Sequence, residues 1–235
     1  MRIALVSVSR APEIDAPLLM RVASAIEVQL TNDYARFWQS AGPVVHVYDT
    51  LSQIPVDDRT APLVIFDDTD SNDFLGWHAV RGTGRAFGRI FWSPIKKHGG
   101  TLLEGANSLS CVVSHEALEM TGNPYVNLWV DMPDGVTEEA AELCDRVQAD
   151  AYAIDGVAVS NFLGPRSFRD GDGPYDFLGN TKAPWDLTPG GYAIRRKAGE
   201  EFHVFGDAVP EWQREERRAA SRVARGRAER GVGSR

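Results

Sequence analysis

The stretch "SCVVSHEALEMTGNP", Ser110 to Pro124, places His115-Glu116 three residues before Glu119. This H-E-x-x-E pattern differs from the H-E-x-x-H signature of zinc peptidases in its last residue. Residues i and i+4 of a helix lie one turn apart on one face, so His115 and Glu119 can share a metal ion. Glu116, beside His115, is then in reach of the reacting water as general base. Asn107 or Ser108 supplies an N-cap for the helix. Gly122, Asn123 and Pro124 end it. Val112, Val113, Leu118 and Met120 predict burial, and a buried helix with one His and two Glu needs partners for those charges. Two readings without metal stand beside the metal site: acids that face solvent, and a buried hydrogen-bond network.

Upstream, "RIALVSV", "VVHVYDT" and "APLVIFDD" are β-branched apolar runs bounded by turn residues and predict strands. Between the first two, Leu19, Met20, Val22, Ile26, Leu30, Tyr34 and Trp38 recur at helical spacing, which predicts an amphipathic helix ending near Gly42. "GRAFGRIFWSPI" predicts a further strand, and "KKHGGTLLEGAN" a loop. Downstream, "TEEAAELCDRVQAD", Thr137 to Asp150, predicts a helix with Thr137 as N-cap and acids in its first turn. Asp155-Gly156 between two alternating runs predicts a type I′ hairpin. Residues 164–191 are rich in Gly, Pro and Asp and predict surface loops. "GYAIRRK" and "EFHVFGD" predict short strands.

The composition is ordinary for a globular chain of 235 residues, 43% hydrophobic and 25% charged. Two cysteines, Cys111 and Cys144, are too few for a disulfide framework and predict buried free thiols. From Glu211 to Arg235, eight Arg oppose four Glu, so this end carries +4; of the overall −8, the first 210 residues therefore carry −12. An acidic body argues against nucleic-acid binding. No apolar run is long enough for a membrane helix. The opening "MRIALVSVSRAPEID" reads as a first strand and is too short for a signal peptide.

A catalytic zinc site uses three protein ligands and one open position. The segment "EEAAELCD" offers Glu138, Glu139, Glu142 and Asp145; Glu142 is the candidate third ligand, with Asp145 as orienting helper or alternative ligand. A carboxylate in place of the second imidazole offsets part of the ion's charge, leaving a weaker Lewis acid or a preference for harder metals such as Mn2+ over Zn2+. A second zinc arrangement, Cys111 with His115 and Cys144, lacks the usual C-x-x-C pair. His46, His78 and His203 read first as structural, with His78 a candidate oxyanion partner. His98 reads as a solvated loop residue. Tyr152, Tyr175 and Tyr192 are candidate electrophiles between which nothing in the sequence chooses. No P-loop is present.

Here the chain resembles the zincin metallopeptidases, narrowly the gluzincin pattern. The resemblance implies a metal held by His115, Glu119 and Glu142, with Glu116 as base and Asp145 as helper. It further implies an α+β, zincin-like twisted mixed sheet whose edge strand precedes the active-site helix; "GRAFGRIFWSPI" stands in that place. The chain also resembles uncharacterised phage and bacterial HExxE proteins with "SHEALE", "ELCD" and "VSNF" blocks, over residues 26–192.

The expectation is one zincin-like domain, 1–210, and a basic, partly disordered tail, 211–235. Within the domain, 1–124 forms the sheet and active-site helix, and 125–210 the third-ligand helix, a β-hairpin and loops. The expected function is a metal-dependent hydrolase acting on a peptide or protein substrate. The alternative is a catalytically inactive structural or assembly protein of a phage-like particle, joined to its partner through the basic tail. The expected location is the cytoplasm or such a particle.

Overall fold

The strand Arg2–Ser7 (β1) buries its side chains alternately in two clusters, Ile3 and Leu5 in the larger, Ala4 and Val6 in the smaller. Burial on both faces is what places a strand inside a parallel sheet. In the computed structural model, which describes residues 1–69, 74–81 and 84–218, β1 pairs in parallel with Val44–Tyr48 (β2) on one side and Thr60–Phe66 (β3) on the other. Gly76–Val80 (β4) and Ala86–Phe91 (β5) complete a five-stranded sheet in the order β2-β1-β3-β5-β4. All pairs in it are parallel except the last, where β4 runs antiparallel to β5.

One face of this sheet carries two helices. Ala16–Val28 (α1) starts at Asp15, whose carboxylate accepts from the Leu18 N–H at 2.8 Å, and buries Leu19, Val22 and Ile26. A wider turn over Gln29–Tyr34 leads to a short helix, Ala35–Trp38 (α2). The predicted single helix thus runs on from Ala16 to Trp38, widened over Gln29–Tyr34, and Met20 faces solvent. After Trp92–Lys97 (α3) comes Leu109–Gly122 (α4), capped by Ser108, whose hydroxyl accepts from the Cys111 N–H. Helix α4 is buried on nearly all sides, between the sheet and the hairpin Ala151–Ile154 (β8) and Val157–Ser160 (β9). Asp155 and Gly156 both take positive φ, as a type I′ turn requires.

A second sheet has the order β11-β10-β7-β6, from Trp129–Asp131 (β6), Thr137–Ala140 (β7), Tyr192–Lys197 (β10) and Glu200–Phe205 (β11). The chain is thus α+β, with several sheets and few helices. Residues 211–218 form a last helix, α5. The expected disorder of the tail concerns residues 219–235, which lie outside the described residues. Among the described residues no helix is long and apolar enough to cross a membrane.

Two expectations need correction. The segment 137–150 is not a helix: β7 is followed by a loop and one tight turn at Asp145–Val147. Cross-strand pairing overrides helix propensity here, because Glu138 and Glu139 lie in register with Arg196 and Arg195 of β10. Nor is "GRAFGRIFWSPI" the edge strand. It ends as a strand at Phe91, turns into α3, and lies inside β4, which is the edge.

Candidate metal centre

Helix α4 presents His115, Glu116 and Glu119 to a space bounded by β4 and by the loop between β7 and Asp145–Val147. Gly76 lets β4 come this close: a Cβ there would meet Val112 Cγ1 at 2.9 Å and Glu116 Oε1 at 3.1 Å. Two residues on, with the alternation of a strand, His78 turns to the same side. Its Nδ1 lies 3.3 Å from both Glu116 Oε2 and Glu119 Oε2, and its Nε2 3.9 Å from Glu142 Oε2. His115 Nε2 lies 3.0 Å from Glu119 Oε1 and 3.3 Å from Asp145 Oδ1. The structure brings all five residues singled out in the sequence together: His115, Glu116, Glu119, Glu142 and Asp145. Asp145 is the one beside His115, while Glu142 faces His78. Glu138 and Glu139 point elsewhere, Glu138 to Arg196 and Glu139 to the buried Arg146 and the part-buried Arg195.

Three residues had little signal in the sequence. His78 sits in a five-residue strand flanked by turn residues, and only that short alternation marks it. Asn123 ends α4 and donates from Nδ2 to Glu142 Oε1 at 3.1 Å, while its Oδ1 accepts from the Asn127 and Leu128 N–H groups. It thereby fixes the loop that carries Glu142. Arg217 of α5 sits 4.4 Å above the Tyr192 ring. Of the three tyrosines, Tyr192 is the one beside the site: it is buried, and burial first, with the charges of Asp145 and Glu119, pushes its hydroxyl well up. Tyr152 instead donates to Asp33, and Tyr175 to the Gly171 carbonyl.

The electrostatics are those of a dense buried cluster, with Glu116 and Glu119 each 4% exposed. Burial pulls both imidazole pKa values down, but the surrounding carboxylates outweigh it and hold His78 and His115 well above their ordinary value. For Glu119, burial is outweighed by the two imidazoles, and its carboxyl titrates far below the ordinary range. Burial and the Glu119 charge push Glu142 well up and Asp145 up. Burial raises the Arg217 environment's cost for charge, yet the anionic groups around it win and its pKa rises.

Polar atoms are left over. Glu119 Oε1, Glu142 Oε2 and His78 Nε2 are buried without a hydrogen-bond partner. Glu119 Oε1 is close to His115 Nε2 but without hydrogen-bond alignment. The 3.3 Å spacings of His78 to Glu116 and Glu119 and of His115 to Asp145 match two ligands of one ion, since tetrahedral bonds of about 2.0–2.2 Å put ligand atoms about 3.3–3.6 Å apart; His115 to Glu119, at 3.0 Å, is shorter. Two sets of ligand atoms lie within 4.8 Å of one another: His115, Glu119 and Cys144, and His78, Glu116 and Glu119. Cys144 thus joins the site and Cys111 does not; burial pushes the Cys111 thiol up to about 12.

A cavity of about 200 Å³ opens beside His115 and Glu116. Helix α5 roofs it through Trp212, Gln213 and Arg217. His98, expected in solvent, stacks on Trp212 with ring centroids 3.5 Å apart. His46 is exposed on β2, and His203 stacks on Phe205. Compared with known proteins, the chain matches no family model, no curated protein and no solved structure.

Proposed function

We propose that the chain is a metal-dependent hydrolase, with a peptide bond as the substrate its frame suits best. The observation that carries this reading is the buried convergence of His115, Glu119 and Asp145, with Glu116 one residue away at the wall of a cavity. Zn2+ or Mn2+ fits the donors: imidazole with carboxylates suits both, and the surplus of oxygen favours the harder ion. His115 and Glu119 would hold it, with Asp145, Cys144 or Glu142 as the candidate third ligand. When bound, the ion polarises a carbonyl and lowers the pKa of water.

The chain's own residues supply the rest. Glu116 takes the proton of the attacking water and passes it to the leaving amine; the C–O bond forms and the C–N bond breaks. Among the described residues β4 is the last strand of its sheet, and its outer side would offer backbone groups to an extended peptide by strand addition. That edge strand, antiparallel on a mostly parallel sheet and packed on the His-Glu helix, supports the zincin-like, gluzincin-type reading.

Glu116→Gln should keep the fold and the ion on His115 and Glu119, while lowering hydrolysis of a peptide library about 10²–10⁴-fold. A second reading, a catalytically inactive assembly protein of a phage-like particle, draws support from α5, which covers the cavity with the chain's own residues. Metal-loaded wild type that cleaves no peptide in such a library, even with α5 removed, would favour it.

A further inference from the structure

The two imidazoles of the centre face different oxygens of one carboxylate. Glu119 turns Oε1 to His115 Nε2 at 3.0 Å and Oε2 to His78 Nδ1 at 3.3 Å. Each imidazole also has a second carboxylate of its own. Asp145 Oδ1 stands 3.3 Å from His115 Nε2, and Glu116 Oε2 stands 3.3 Å from His78 Nδ1. Among the described residues, no set of ligand atoms within 4.8 Å of one another holds both imidazoles; the two sets share Glu119 alone.

We propose that the centre takes two divalent cations bridged by Glu119, one on His115 with Asp145 or Cys144, the other on His78 with Glu116. The inference deepens the metal reading above and rests on it. A carboxylate that gives one oxygen to each of two ions suits the separation of about 3.5–4 Å found in two-metal hydrolytic sites. One ion would satisfy one ligand set and leave the other as buried imidazole against buried carboxylate. The unpartnered atoms point the same way. Glu142, 7% exposed, directs Oε2 to within 3.9 Å of His78 Nε2 without a hydrogen bond, and both atoms lack partners. A metal-bound imidazole donates its other N–H to such a carboxylate, so an ion on His78 Nδ1 gives Glu142 a purpose. Glu116 lends Oε2 to the second ion and keeps Oε1, which faces Gly76 at the cavity wall, for the proton.

The test is titration of the metal-free full-length chain with Mn2+ alone, followed by calorimetry and by electron paramagnetic resonance, with Zn2+ in parallel. The expected result is about two ions per chain and a spectrum of two exchange-coupled Mn2+ ions. His78→Gln should reduce the count to about one and remove the coupling, with the circular dichroism spectrum unchanged; His115→Gln should do the same from the other side. A count of one in wild type, lost in either variant, would overturn the pair and leave the hydrolase reading standing. Two uncoupled ions would overturn the Glu119 bridge. Two coupled ions with no hydrolysis of any peptide would keep this inference and sink the proposed activity instead. No bound metal at all would remove both.

Discussion

Ser114 shows how single polar atoms hold the site helix in place. Its hydroxyl donates to Gln29 Oε1 at 2.6 Å and accepts from the Ser160 N–H at 2.9 Å, all within the core. Gln29 in turn donates to the Ser160 carbonyl. Three elements, the turn after α1, α4 and β9, meet in this network one residue before His115. Ser114→Ala removes a small hydroxyl yet leaves a buried amide N–H and a buried carbonyl oxygen without partners. Each such orphan costs about 1–3 kcal/mol. The variant should therefore lose about 2–4 kcal/mol in urea unfolding, with an unchanged slope. A loss under 0.5 kcal/mol would mean that water replaces the hydroxyl.

At the scale of elements, the sequence was legible wherever a segment's fate depended on itself. The β-branched runs at β1, β2 and β3, the Ser108 cap and the Asp155-Gly156 turn carry their signals locally, and each element formed. The H-E-x-x-E spacing likewise put His115 and Glu119 on one helix face. The segment 137–150 was misread because its partner lies some 56 residues on: Glu139 accepts from Arg195 Nε at 2.9 Å and faces Arg146 Nε at 3.1 Å, while Glu138 pairs with Arg196. Nothing within Thr137–Asp150 announces Arg195 and Arg196. His78 reads in the sequence as structural or as an oxyanion partner and not as a ligand for a similar reason, since its place beside Glu116 and Glu119 comes only from the helix packed against its strand. The pairing makes a prediction that a solvated helix would not. Glu139→Gln strands the buried Arg146, and breaking such a pair costs about 3–5 kcal/mol. Glu138→Gln, on the half-exposed side where solvent screens the pair with Arg196, should cost far less. Equal effects in chemical denaturation would contradict the strand.

For the whole molecule, one arginine of the last described helix meets the acidic centre. Arg217 reaches it from α5, over the Tyr192 ring and within the field of Asp145, Glu116 and Glu119. In the metal-free chain this guanidinium and the raised imidazoles of His78 and His115 stand against the buried carboxyl groups. Divalent ions do the same work more strongly, so metal and Arg217 are partial substitutes. Arg217→Ala should therefore destabilise the metal-free protein by about 1–3 kcal/mol, discounted for the partial exposure of the side chain. The loaded protein should lose less, because a bound ion replaces the missing charge. Binding free energy adds to stability in proportion to affinity, so the thermal upshift on adding Mn2+ should be larger in Arg217→Ala than in wild type. The same substitution thins the roof of the cavity and should speed metal loss to a chelator. Equal thermal losses with and without metal would show that Arg217 acts only by packing on Tyr192, and that the charge of the chain's end does not reach the site.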